Sequence, residues 1–230
     1  MSIKIIVSYD GTENDTDALA LGRLLATGGG TLALAYVRHA VEPEQEREHL
    51  AQSEAMELLE NGARWLGDPD VPRHVVLSGS TPEGLRDLAE STGADVVVFG
   101  SEYRTSPGHV QPGTSAQRLL EGGPIAIAIA PAGYRERADH AVDTVAAVSE
   151  DGDPGPSETA ASLAAQLGAT VVPRASEEAG LVVVGSKPGS AAGRITLSAA
   201  AQYLVELLRA PALVVPHGVA LRFGGGPQAG

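Results

Sequence analysis

Gly100, Glu102, Tyr103, Arg104, Gly113, Thr114 and Ser115 form the most chemically suggestive constellation in the chain. The glycine at 100 closes the apolar run "ADVVVF", a polar stretch follows, and Gly113-Thr114-Ser115 opens the segment "AQRLL". A strand-closing glycine, a polar loop and a hydroxyl-bearing helix start have the layout of a phosphate cradle. The first turn of a helix carries unpaired backbone N–H groups and a partial positive charge, and a hydroxyl there donates to a phosphate oxygen. Each such contact contributes about 0.3–1 kcal/mol when exposed. Micromolar affinity needs about 8 kcal/mol, so burial of a base and several more N–H contacts must supply the rest. Glu102 brings a negative charge that Arg104 offsets. Tyr103 offers a ring that either stacks on a base or ribose or fills the site. His109, in the same loop, is cationic only when protonated. A second turn, "YDGTEND" at residues 9–15, supplies Tyr9 and Asp10. Alone, Asp10-Gly11 is an ordinary turn and Gly113-Thr114-Ser115 an ordinary helix cap.

These loops need a frame. "IKIIVSY" (3–9), "TLALAYV" (31–37), "RHVVLSG" (73–79), "ADVVVFG" (94–100) and "PIAIAIAP" (124–131) are apolar runs of strand length. Helical patterns separate them at 14–30, 42–67, 80–93 and about 114–121. Thr81 is the expected N-cap of the third helix, with Pro82 at its first position and Gly93 after its end. The alternation predicts an α/β fold with a doubly wound, parallel, Rossmann-like sheet. Ligands of such sheets lie outside the carboxyl ends of the strands, where strand order reverses. A crevice flanked by the first and fourth strands would bring the two loops face to face.

The second half echoes the first. "VSYDG" (7–11) returns as "VSEDG" (148–152), which keeps an acidic residue at Asp151. "DVVVFGS" (95–101) returns as "GLVVVGS" (180–186), and "SAQRLL" (115–120) as "AAQYLV" (200–205), both at an offset of 85. The first match is offset by 141 instead, so the second copy lacks about one helix, one strand and another helix. It keeps expected strands at 144–149, 169–173, 181–185 and 211–217 and helices at 157–167 and 197–208. Expected boundaries are 1–133, a linker at 134–142, a shortened module at 143–217 and a disordered tail at 218–230. In the second copy Pro188 and Ser198-Ala199 stand where the first has Tyr103 and Gly113-Thr114, so that half is not expected to bind a ligand.

Bulk composition narrows the function. Net charge is −13, which opposes broad nucleic-acid binding. Absence of cysteine excludes disulfides and thiolate chemistry. No apolar stretch reaches a membrane span of about 18 residues. The early first strand leaves no room for a signal peptide, so a cytoplasmic location is expected. The 6 histidines show no metal-ligand spacing. G-x-S-x-G, G-x4-G-K-(S/T), H-E-x-x-H, H-x-G-H and S-G-G-x-D-S are all missing, which leaves at most weak ATP hydrolysis.

The run Gly100, two residues, Tyr103, nine residues, Gly113-Thr114 resembles the universal stress protein family. Its nucleotide-binding members carry G-x2-G-x9-G-(S/T) after the fourth strand; Tyr103 stands at the second glycine. "IVSYDGTENDTDAL" and "PIAIAIAP" resemble the family's first strand and turn and its last strand, so the likeness spans about 3–131. The resemblance implies an adenine nucleotide (ATP, ADP or AMP, with or without magnesium) in the first module of a tandem stress-response protein acting as a sensor or binding module. It places Asp10 near adenine and ribose, Val37 by a backbone group against adenine, Gly100 against ribose and phosphate, and Gly113, Thr114 and Ser115 on phosphate. Tyr9, Tyr103 and Arg104 complete the expected site. The resemblance also implies pairing through last strands, inside the chain between the two modules or between chains as a homodimer. The competing reading is a nucleotide-free interaction module in which Tyr103 and Glu102 close the site.

Overall fold

In the computed structural model, residues 2–39, 45–137, 141–150, 152–173, 175 and 179–224 are described, the side chains of 45–50 excepted. Asp151, the middle of the expected linker (138–140) and the end of the expected tail (225–230) lie outside them. The first half runs β1 (Lys4–Ser8), α1 (Glu13–Ala26), β2 (Thr31–His39), α2 (Gln45–Leu66), β3 (Arg73–Ser78), α3 (Thr81–Thr92), β4 (Val96–Gly100), α4 (Thr114–Leu120) and β5 (Ala126–Ala130). After a 3-10 turn at Tyr134–Arg137 come β6 (Thr144–Val148), α5 (Pro154–Leu167), β7 (Thr170–Val172), β8 (Leu181–Val184), α6 (Ala199–Leu207) and β9 (Ala212–Val214).

All nine strands join one sheet in the order β3-β2-β1-β4-β5-β9-β8-β6-β7. Every pairing is parallel except β5 with β9. Strand residues alternate between two buried faces, as expected when helices cover both. Ile5, Val7, Val96 and Val98 face Leu19, Leu25, Leu59 and Leu163 of α1, α2 and α5. Ile6, Val97, Ile127 and Val182 face Leu85, Leu119 and Val205 of α3, α4 and α6. Complete burial of one such side chain contributes about 1.5–3 kcal/mol.

The β5–β9 register is reciprocal. Ile127 pairs with Val214, Ala128 with Leu213 and Ile129 with Ala212. These partners exchange places at the offset of 85, so an approximate two-fold axis passes near Ala128 and Leu213. Val110 N donates to Leu208 O, and the equivalent Ile195 N donates to Gly123 O.

Three expectations need correcting. Ser80, not Thr81, caps α3: its φ and ψ are −150° and 151°, and its Oγ accepts from Glu83 N. This moves Pro82 one position into the helix. Residues 218–224 are not a disordered tail. Leu221 and Phe223 are buried, Leu221 N donates to Thr159 Oγ1, and Phe223 N donates to Ser162 Oγ, both on α5. The start of the expected linker is also fastened. Asp17 of α1 is completely buried and accepts from Gly133 N and Arg135 N at 2.8 Å each. The Arg135 guanidinium reaches the same carboxylate at 3.2 Å. Burial raises the Asp17 pKa, and these donors and the Arg135 charge pull it back.

Candidate functional site

β1 and β4 are neighbours, so the turns after them meet. Tyr9 N continues the ladder to Ala35 O at 2.9 Å. The chain then turns through Gly11 at φ 86°, where an added Cβ would sit 2.5 Å from Leu58 Cδ1. Thr12 caps α1 by accepting from Asp15 N, and Asp15 Oδ2 accepts in return from Thr12 N and from Asp10 N. The Asp10 carboxylate takes a second bond from Thr12 N at 3.3 Å. Two carboxyl groups thus share one small turn. Burial first, then the hydrogen bond to Asp10 and its charge, push Asp15 up to about 8. Burial, then Asp15 and Asp10, also raises the Tyr9 phenol.

The facing loop begins at Gly100, where α1 approaches so closely that an added Cβ would lie 2.0 Å from Asn14 O. This glycine is required by helix–strand packing, whatever else it does. Asn14 Nδ2 then donates to Ser101 O and Glu102 O, at 2.8 Å each, tying α1 to the loop. Ser101 is the loop's hub. Its Oγ donates to Ala130 O at 2.7 Å and to His109 O at 3.2 Å, and accepts from Gln111 N at 3.1 Å. Gly108 N and Ala132 N complete the seam with Ala132 O and His109 O. The main chain of His109 therefore fixes the loop to the end of β5.

Tyr103 neither fills the crevice nor stands where the backbone needs a glycine. Thr105 N closes a turn on Glu102 O, and the left-handed residue of that turn is Arg104, at φ 76°. Tyr103 is 75% exposed, with the Arg104 guanidinium 5.5 Å from its ring centroid. Both expected contributors therefore extend away from the fold's interior. Val37 is buried at the end of β2 and packs close to Gly84 of α3. Gly113 is the N-cap of α4, makes no side-chain cap bond, and leads into exposed Thr114 and half-buried Ser115. Its φ of −72° suits any residue, and an added Cβ would meet only Glu102 Cβ, at 4.0 Å. Neither backbone nor packing demands a glycine there.

The structure thus gathers Asp10, Gly100, Glu102 and Gly113 beyond the carboxyl ends of β1 and β4. It adds Asn14, Asp15 and Ser101, which the sequence reading passed over. Thr12 and Asp15 did carry a signal, the three-residue spacing of a capping box. Ser101 recurs as Ser186 at the end of the matched segments, and Asn14 carried no signal.

The second half builds the same loop at the offset of 85. Ser186 Oγ donates to Val215 O and Arg194 O and accepts from Thr196 N. Gly193 N donates to His217 O, and His217 N to Arg194 O. Its helix start differs. Ser198 caps α6 by accepting from Ala201 N at 3.0 Å, and its hydroxyl also donates to Glu150.

Comparison with known proteins agrees with this architecture. The family model described as "Universal stress protein family" matches residues 1–131. Among solved structures, a universal stress protein from Archaeoglobus fulgidus DSM 4304 superposes with a TM-score of 0.61 at 12% identity, covering 93% of this chain and 98% of that one. A putative universal stress protein from Pseudomonas aeruginosa UCBPP-PA14 gives 0.58 at 16%, covering 94% and 93%. At such identities these two likenesses concern the fold alone. No curated protein matches the sequence. Among the described residues, no helix is long and apolar enough to cross a membrane.

Proposed function

The chain belongs to the universal stress protein family, and from that premise we propose that its first half binds one adenine nucleotide and acts as a cytoplasmic sensor or binding module. Residues 1–133 are the binding module and 143–217 a shortened copy, held to it through β5 and β9. Two such chains pair further into a homodimer.

The observation that carries this reading is Gly113. It is a glycine that the fold does not need, at a helix start with no side-chain cap, where an added Cβ would touch only Glu102 Cβ at 4.0 Å. A side chain there would occupy the volume a phosphate must enter. Thr114 and Ser115 follow with hydroxyls, and the Asp10 turn lies across the crevice for base and ribose. Asp10, Glu13, Asp15 and Glu102 make this rim acidic, against Arg104 and Arg135. A triphosphate therefore binds best with magnesium, and AMP needs it least. The proton that Asp15 keeps up to about pH 8 lowers the opposing charge.

A specific observation favours the second reading. The Asn14 latch and the contact of its carbonyl with Gly100 draw the two loops together. In a nucleotide-free interaction module they would remain so. The two readings separate when freshly purified protein is denatured and its released small molecules are analysed. The binding reading expects adenine nucleotide near one equivalent per chain. None released, together with no heat on titrating AMP, ADP or ATP with magnesium, would leave the interaction module.

A further inference from the structure

The approximate two-fold axis between the halves opens into a cavity of about 210 Å³ beside α4 and α6. Its floor is apolar and doubled: Pro112 and Leu120 from the first half, Leu197 and Val205 at the equivalent positions of the second. Its rim is polar and doubled: Gln117 and Glu121 face Gln202 and Glu206. Every one of these residues has its partner at the offset of 85, although the helix starts beside them, Gly113 and Ser198, differ. The pocket is set rigidly, because Gly122 N and Ile195 N bond across the halves to Ile195 O and Gly123 O, and Val110 N to Leu208 O. None of Arg118, Arg194 and Arg209 lines it, although the Arg194 guanidinium donates to Gly122 O beside Glu121.

We propose that this axial pocket binds a short aliphatic diamine. An ammonium group has three donors and no acceptor. Each half of the rim offers one carboxylate and one amide oxygen to receive them. A methylene chain between two such heads matches the apolar floor, and its own two-fold symmetry matches the cavity. The volume lies below the roughly 300–1,000 Å³ of sites for drug-sized ligands, which sets the ligand's size. An anion is opposed by Glu121 and Glu206 and by a net charge of −13. The site is separate from the nucleotide crevice and stands whether or not that crevice is occupied.

The test is calorimetric titration of the full chain with 1,4-diaminobutane at low salt, beside 1-aminobutane and the double variant E121Q/E206Q. The expected result is saturable one-to-one binding, weaker by about tenfold or more for the monoamine and for the variant, and weakened by salt. E121Q and E206Q singly should each lose a similar share, as the axis requires. No saturable heat, equal affinity for diamine and monoamine, or full binding by the double variant would each overturn the proposal. All four rim positions are exposed, so these variants keep their fold.

Discussion

The loops at 100–117 and 185–202 have nearly the same hydrogen-bonded skeleton and different helix starts. Ser101 and Ser186, Gly108 and Gly193, and Ala132 and His217 play identical parts. What differs is who satisfies the helix that follows. In the second half Ser198 caps α6 from within. In the first, Gly113 leaves α4 without a side-chain cap. The same loop geometry thus occurs with two different helix starts, so the loop's shape alone does not indicate binding. Residues that the shape does not require, such as Gly113, are the ones that distinguish the two loops.

The pair of glycines that open these loops gives the largest contrast. At Gly100 an added Cβ strikes the Asn14 carbonyl, which moves only with α1; at Gly185 it meets Pro156 Cγ at 2.6 Å, a ring that yields more readily. Gly100→Ala should therefore cost about 3 kcal/mol and Gly185→Ala about half of that in denaturant unfolding. Equal losses would erase the contrast.

The buried carboxylates that fasten the chain after β5 and β9 come next. Asp17 serves Gly133, Arg135 and its guanidinium; Asp153 accepts from Gly155 N and Gly218 N. Asp17→Ala should lose about 3 kcal/mol, because it removes two backbone bonds and one of the two carboxylates that Arg135 reaches, leaving Glu13, and Asp153→Ala about 1–2 kcal/mol, because it removes two backbone bonds and the contact with His217 Nδ1.

A smaller effect distinguishes the halves by pH. Asp15 has a folded pKa near 8, raised from an ordinary carboxyl value. The protonated form is thus the one the fold prefers, and stability falls as pH rises from about 4 through 8. Asp15→Asn keeps a neutral acceptor for Asp10 N and Thr12 N. It should remove that slope and gain about 2 kcal/mol at pH 8, read from urea midpoints across pH. A slope unchanged in the variant would locate the titration elsewhere.

Much of this architecture was legible because each level of the sequence agreed with the next. Apolar runs, caps and glycines marked the alternation, and segments matched at an offset of 85 fall on loops with the same hydrogen-bonded skeleton. Local ambiguity explains the misses. Ser80 and Thr81 are both good caps, and only the extended backbone at Ser80 decides between them. The tail's glycines masked Val219, Leu221 and Phe223, whose spacing of two aims them at α5. The left-handed residue falls on Arg104, where no residue preference announces it. Asn14 acts on a loop 87 residues away, which no local pattern encodes.

Titration of AMP, ADP and ATP with magnesium into the wild-type chain and Gly113→Leu decides whether the 113 helix start holds a phosphate. Because the fold leaves room at 113, the variant should unfold within about 0.5 kcal/mol of wild type. One nucleotide site per chain is expected in the wild type and none in the variant. Equal binding by both, or by neither, would contradict that expectation.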